Sequence, residues 1–355
     1  MTAAGTHRLK SRGRTGPDFS IIIPTHARIA RLRACLDGIA HLDNDVDRFE
    51  VVVIDDGGSD PLEPVLALYR GRFLLQLIVR PHGGPGAARN SGATVAKGRF
   101  LVFIDDDCIP SPLWLSAFER ELAYHPEHLL GGSVANNLPD NPYSSASHRI
   151  VSYVQAYYQS KAGNEPFFQT SNLAVSADKF HELGGFDVSI PSATAEDKEF
   201  CHRWRAAGHK MSYVADAIVY HSHALTLKSF LRQHYNYGRG IGYVRLMHLH
   251  RLLKSYVPEP FEFYWGLLFA APSHRSPRIR LRDTSLMIAS QVATLMGATR
   301  TALLERPGTS GNRSPAARSY DSIRASNSPV PANAASDSSA AEAEISPARI
   351  FGKSL

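Results

Sequence analysis

Phe100-Leu-Val-Phe-Ile104 runs directly into Asp105-Asp106-Asp107, and the reading of this join decides the fold. Five consecutive apolar residues, β-branched or aromatic among them, fit a strand covered on both faces. Three adjacent carboxylates at its end repel one another and resist desolvation, so a hard divalent cation would account for them. Carboxylate oxygens suit Mg²⁺ or Mn²⁺, ions that usually reach a protein together with substrate phosphates. On an extended strand end, Asp105 and Asp107 point to one side and can share an ion while Asp106 faces away. A solvated acidic turn is the plain alternative for these three residues taken alone.

Outward from this stretch, residues 18 to 223 alternate short β-branched runs with longer helical patterns, the signature of βαβ units. Phe19-Ser-Ile-Ile-Ile23 is a strand that Pro24 is expected to stop, and Ile29 to Ile39 has helical apolar spacing. Glu50-Val-Val-Val-Ile54 and Leu74 to Val79 are further strands, with a proline-opened helix expected over Pro61 to Tyr69. A loop at Gly83-Gly-Pro-Gly86 feeds a helix through Ala96, and Pro112 to Tyr124 is again helical. A second block holds Phe168-Gln-Thr-Ser-Asn172, a Gly184-Gly-Phe-Asp187 turn, a helix near Ala195 to Ala207 and a strand near Met211 to Tyr220. Residues 224 to 305 read as mostly helical, interrupted at Gly238, Gly240 and Gly242 and again at Pro258 and Pro260. From residue 306 on, Ala, Ser, Pro and Asn dominate, a composition that cannot offset its ordering entropy.

The 355 residues suffice for one large domain or two modest ones, and 43% hydrophobic composition is that of a globular chain. Met1 to Pro17 is polar and basic without an apolar run, so no secretory signal is expected there. Cys35, Cys108 and Cys201 are isolated, which points to a reducing compartment without structural disulfides or zinc. Between Ala224 and Glu305 there are 11 Lys or Arg against 4 Asp or Glu, so this segment carries +7 of the net +6 and the rest about −1. With no RNA-binding, zinc-finger or helix-turn-helix pattern, nucleic acid is the weakest partner for that charge; anionic lipid or an acidic substrate remain.

In an open α/β sheet, ligands bind outside the carboxyl ends of the strands. Three strands end in suitable residues: Pro24-Thr25-His26, Asp55-Asp56 and Asp105-Asp106-Asp107. Asp56 can accept from a base N–H and Asp105 from ribose hydroxyls, while the Asp55–Asp60 segment also reads as a simple turn and cap. Gly83–Gly86 lacks both the Walker lysine and GxGxxG spacing, and Arg89 beyond it is either a nucleotide contact or a surface arginine. Asp197 follows Thr194 at capping-box spacing, and equally suits a general base that takes a proton from an attacking hydroxyl. His221 and His223 share one side of a strand end, as metal ligands or as ordinary histidines.

In this order the motifs resemble the family 2 glycosyltransferases of the GT-A fold: Ile21-Ile-Ile-Pro-Thr-His26, Val53-Ile-Asp-Asp-Gly-Gly-Ser-Asp60, Ala88-Arg-Asn90, Phe103-Ile-Asp-Asp-Asp107, Asn172, Gly184-Gly-Phe-Asp187, Ala195-Glu-Asp197 and Tyr220-His221. The resemblance covers residues 18 to 223. It implies a Rossmann-like, mostly parallel mixed sheet flanked by helices, and an inverting transfer of one sugar from a nucleotide-diphosphate sugar, UDP-linked in the first instance. It further implies that Pro24, Thr25, Asp56, Arg89, Asp105 and Asp106 line the donor site. Asp105, Asp107 and His221 would hold Mn²⁺ or Mg²⁺, and Asp197 would be the base. Two departures stand out. His26-Ala27 replaces the usual aromatic-Asn pair, and the QxxRW motif of processive synthases is missing, with Gln233-His-Tyr-Asn-Tyr-Gly-Arg239 near its place. The second favours single-sugar transfer over polymer extrusion.

The expected organisation is a disordered basic segment 1–17, a GT-A domain 18–223 (donor half 18–110, acceptor half 111–223), a basic helical extension 224–305 and a disordered tail 306–355. A sugar nucleotidyltransferase would need a glycine-rich basic loop near Pro24, for which Thr25-His-Ala is a poor substitute. An inactive nucleotide-sugar-binding scaffold is opposed by the intact Asp105, Asp107 and Asp197. Segment 261–271 is too short to span a bilayer, and segment 284–304 carries Ser, Thr, Gln and Arg300. With Arg275, Arg278, Arg280 and Arg282 between them, they suggest an interfacial helix, and the resemblance then implies a cytoplasmic enzyme of cell-envelope polysaccharide synthesis. It would lie on the anionic inner face of the membrane, with a glycan or lipid-linked glycan as acceptor. The same helices would otherwise pack on the sheet domain with a solvated basic face.

Overall fold

The computed structural model describes residues 16–160, 167–190, 195–252, 259–269 and 276–304. Eight strands form one sheet: β1 (Phe19–Thr25), β2 (Phe49–Asp55), β3 (Leu74–Val79), β4 (Phe100–Ile104), β5 (Cys108–Pro110), β6 (Leu129–Asn136), β7 (Asn172–Ser176) and β8 (Met211–His221). The helices of its flanks are α1 (Ile29–Ile39), α2 (Glu63–Leu66), α3 (Pro85–Val95), α4 (Trp114–Tyr124), α5 (Pro142–Ser160), α6 (Ala177–Glu182) and α7 (Glu196–Ala206). Three more follow: α8 (Leu227–Leu252), α9 (Phe261–Phe269) and α10 (Pro277–Leu304). The segment expected at 1–17, apart from residues 16 and 17, and the tail expected at 306–355 lie outside the described residues.

Strand order is β3-β2-β1-β4-β7-β6-β8-β5, with β1 to β4 parallel to one another and β7 antiparallel to both β4 and β6. β1, β2 and β4 are buried on both faces, as a parallel sheet between helices requires, while the edge strand β3 is half-exposed. Alternate residues separate cleanly: Ile21, Ile23, Val51, Val53 and Val102 join Leu32 and Leu36 of α1 and Trp114 and Phe118 of α4. Ile22, Val52, Ile54 and Phe103 join Ala88 of α3 and Phe200 and Trp204 of α7 on the other face. Burying each such side chain stabilises by about 1.5–3 kcal/mol.

β1 runs through Pro24 to Thr25, two residues past the stop expected there. Pairing with β4 ends at Ile22, whereas pairing with β2 continues to Thr25, whose carbonyl accepts from Asp56 N–H. Pro24 thus turns its missing N–H toward the side where no ladder bond is owed. The helix expected over Pro61 to Tyr69 is reduced to the four residues of α2.

Only three residues separate β5 from the end of β4, yet it pairs at the opposite end of the strand order, against β8. The sheet therefore curls so that its far edge returns to the carboxyl end of β4. The pairing Cys108↔His221 then brings the end of β8 beside the three aspartates.

The extension 224–305 packs against α5 through its own apolar cluster of Ile150, Phe230, Leu267, Leu286 and Met287. An ion pair of 3.0 Å joins Arg149 of α5 to the buried Asp283 of α10. The glycines expected to interrupt this region do not: Gly238, Gly240 and Gly242 lie inside the single helix α8. A Cβ at Gly238 would collide with the Thr294 backbone of α10, and one at Gly297 with the Tyr235 backbone of α8. These glycines are where two helix backbones touch. Pro258 lies outside the described residues, and Pro260 immediately precedes α9.

Candidate active site

The site is built at the carboxyl ends of β1, β2 and β4, the end of β8 and the first turns of α1, α3 and α7. β4 stops at Ile104, and Asp105 to Cys108 form a turn closed by Cys108 N–H to the Asp105 carbonyl at 3.0 Å. The alternation expected of an extended strand end therefore does not hold, and the three carboxylates diverge. Asp105 accepts from Arg89 at 2.5 Å. Asp106 is buried and accepts from the Thr25 hydroxyl at 2.7 Å and from Arg28 at 3.3 Å. Asp107 is buried against His221 Nε2 at 3.1 Å and Arg31 at 3.0 Å.

The protein's own cations thus meet all three charges, which sequence reasoning missed. Arg28 and Arg31 sit one turn apart where α1 starts, three and six residues beyond the end of β1, and that spacing was the available signal. Burial pushes the Asp106 carboxyl up to about 6 against the lowering pull of the Thr25 hydroxyl. Burial also opposes ionisation of Asp107, but the hydrogen bond and charge of His221 outweigh it and hold that carboxyl far below its usual range. His221 is raised in turn, Asp107 overcoming the effect of burial.

Among the described residues, Asp107, Cys108 and His221 form a group with ligand atoms within 4.8 Å of one another. The donor chemistry separates them. Burial, then Asp105 and Asp107, push the Cys108 thiol well up, so it stays protonated in the core and is no ligand for a hard ion. The carboxylate and imidazole fit Mn²⁺ or Mg²⁺, and Asp105, 30% exposed, is the remaining accessible oxygen donor in the turn. The charge of the cluster is no longer an argument for an ion, because arginines balance it; the donor set is.

Arg89, one turn into α3, is buried rather than a surface arginine. One guanidinium nitrogen reaches Asp105 and another reaches Glu196 of α7 at 3.1 Å, while its Nε has no protein partner. Burial would lower its pKa, but the two carboxylates raise it, so the cation is fixed. Glu196 is the second anchor of Arg89, a role that only the fold brings out. Asp197 follows it, half-buried, with one oxygen accepting Lys198 N–H at 2.7 Å. Burial first, then the charge of Glu196, push the Asp197 carboxyl up to about 7. The capping partner Thr194 lies outside the described residues; Ala195 is the N-cap and no side chain caps it.

Asp56 is also buried, and its oxygens are taken by Gly83 and Gly84 N–H (3.1 and 2.8 Å), by Arg80 and by His82. It anchors the loop leading to Gly84, whose φ of +85° at the start of α3 suits a residue without a Cβ. His26 and His82 stand with ring centroids 4.6 Å apart beside it, which puts imidazoles where an aromatic was missed.

This arrangement, a curled mixed sheet with acidic strand ends and a carboxylate-opened helix facing them, defines a GT-A-type transferase fold. Residues 20–184 match the model of glycosyl transferase family 2. The chain is 26% identical over 228 residues to glycosyltransferase AglE of Haloferax volcanii, covering 64% of this chain and 73% of that protein. It is 26% identical over 227 residues to validoxylamine A glucosyltransferase of Streptomyces hygroscopicus subsp. jinggangensis, covering 55% of this chain and 53% of that one. In structure it is similar to the mannosyltransferase PcManGT from Pyrobaculum calidifontis, solved with GDP-Man and Mn²⁺, with TM-score 0.54 and 19% identity over 82% of this chain and 88% of that chain. The chain carries a family 2 glycosyltransferase domain and is a glycosyltransferase.

Proposed function

We propose that the protein transfers one sugar, with inversion, from a nucleotide-diphosphate sugar to an acceptor hydroxyl. The observation that carries this is Arg89, a single buried guanidinium hydrogen-bonded at once to Asp105 and Glu196. It ties the acidic turn to the helix bearing Asp197, as a displacement reaction requires of its donor and base. Asp105, Asp107 and His221 would hold Mn²⁺ or Mg²⁺, which when bound supplies positive charge for the departing diphosphate. Asp197, its carboxyl near 7, takes the proton of the acceptor hydroxyl. Pro24, Thr25 and Asp106 shape the floor under the nucleotide, Asp56 holds the loop that borders it, and Arg89 aligns Asp105. UDP is the first nucleotide to test, and His26 and His82 would border its base.

We also propose peripheral contact with an anionic cytoplasmic membrane surface, and hence a role in cell-envelope glycan assembly. Among the described residues no helix is long and apolar enough to cross a membrane. Support comes from the exposed apolar residues of α10 beside the exposed Arg278, Arg280 and Arg282.

The test is a panel of nucleotide sugars with Mn²⁺, read by thermal shift and by release of the nucleoside diphosphate. A cognate donor should raise the melting temperature only with the ion present, and Asp107→Ala should remove that dependence. Full turnover in EDTA by the parent protein would overturn the metal role, and no shift with any donor would overturn the reading itself.

A further inference from the structure

Behind His221 lies a cleft that the groups above do not fill. β6 supplies Asn136 to its lining, α5 supplies Ser147, His148 and Ser152, and α8 supplies Gln233 and Tyr237; together they enclose about 450 Å³ including its open mouth. His221 lines this cleft and contacts Asp107 as well, so the cleft opens onto the acidic turn. At its α8 end the Tyr237 phenol feels the charges of Asp197, Asp105 and Asp107.

The chemistry of the lining is specific in kind. Hydroxyls, amides and imidazoles predominate, and among the described residues none of the lining groups is Lys, Arg, Asp or Glu. Burial, with His221 and Arg149 nearby, holds the His148 imidazole below its usual range, so it adds no cation at neutral pH. The Gln233 amide donates to Ser147 Oγ at 3.2 Å and to Tyr237 Oη at 2.7 Å, while its carbonyl oxygen is buried without a partner. Turning the amide end for end only exchanges which end is left over. A buried amide end without a partner is costly, and Gln233, which lines the cleft, loses that cost when the end turns toward a bound group there.

We propose that this cleft is the acceptor subsite and takes a neutral polyhydroxylated sugar ring, with Gln233 as a specificity-determining contact. The proposal rests on the glycosyl-transfer reading above. A sugar hydroxyl both donates and accepts, so it satisfies either end of the Gln233 amide and the serine hydroxyls around it. A phosphate or carboxylate would find in the lining only the His221 cation, already paired with Asp107 at 3.1 Å, and an acyl chain would strand the polar lining without partners. A lipid-linked acceptor is compatible only if its sugar occupies the cleft and its lipid lies elsewhere.

The experiment uses the full chain and a panel of methyl glycosides (glucoside, galactoside, mannoside and N-acetylglucosaminide), with inorganic phosphate as the charged control. Binding is followed by saturation-transfer NMR. At least one glycoside should bind the parent and phosphate should not compete with it. Gln233→Met, which keeps the length but not the amide, should weaken that binding roughly tenfold. Ser152→Leu, which narrows the cleft from α5, should also weaken it, and both variants should keep the thermal shift given by UDP with Mn²⁺. Circular dichroism confirms that the variants fold. No glycoside binding to the parent, or unchanged binding in both folded variants, overturns the proposal. Loss of the UDP shift together with glycoside binding would assign the cleft to the donor, which also overturns it. Failure of the transfer reading shows differently, as a parent that responds to no nucleotide sugar whatever its glycoside binding.

Discussion

Asp197 gives the sharpest expectation at the scale of one residue. Its carboxyl is raised to about 7 by burial and by Glu196, so the proton leaves only as pH rises through that value. A general base works unprotonated, so kcat/KM should climb with unit slope up to about pH 7 and then level off. Asp197→Asn should lower turnover by about 10²–10⁴-fold and remove the limb. A limb that persists in the variant would belong to another group. Arg89 is the residue whose loss should be felt in the fold. Arg89→Met leaves the buried Glu196 and the part-exposed Asp105 without their cation. Breaking a buried pair from one side costs about 3–5 kcal/mol; with Asp105 open to solvent the lower end applies. The midpoint of guanidinium unfolding measures this, and an unchanged midpoint would show that the bridge contributes no stability.

Between elements, the sites where backbones touch decide what could be read from the chain alone. β1, β2 and β4 are legible because both faces are buried and every position is apolar or nearly so. β6 is not, since it opens Leu-Leu-Gly-Gly and turns half-exposed after Gly132, and β5 has only three residues. The ends of β1, β2 and β4 carry most candidate site residues, so these were legible too. Their mutual arrangement was not, because it depends on the curl that pairs Cys108 with His221 and on a turn that replaces an extended strand end. The glycines of α8 misled for a related reason: local propensity marks Gly238 as a breaker, whereas its contact with Thr294 on α10 requires it. Gly238→Leu should therefore push α8 and α10 apart and cost at least the 1–3 kcal/mol typical of overpacking. A Gly238→Leu variant more stable than the parent would return that glycine to the role of a helix breaker.

For the molecule as a whole, the distribution of apolar surface is the informative quantity. The inner side of α10 buries Leu286, Met287 and Ala293, while Leu281, Ile288, Val292, Leu295 and Leu303 are exposed, Leu303 at 77%. Steps of seven, four, three and eight residues keep these five on one face of a helix. Trp265 and Phe261 of α9 are exposed as well. A stripe of this kind is more than the scattered apolar residues any surface carries. With Arg278, Arg280 and Arg282 at one end, it is the surface on which the membrane contact proposed above depends, where each arginine would gain about 1 kcal/mol near anionic head groups. The protein should therefore sediment with phosphatidylglycerol vesicles at low ionic strength and less so as salt screens the arginines. Ile288→Glu with Leu295→Glu puts two charges on the stripe without touching the packed side, so melting should hold while vesicle binding is lost. If the double variant pellets as the parent does, the stripe is not the contact. If the parent stays in the supernatant at low salt, the arginines are a solvated face, and the acceptor need not be at a membrane.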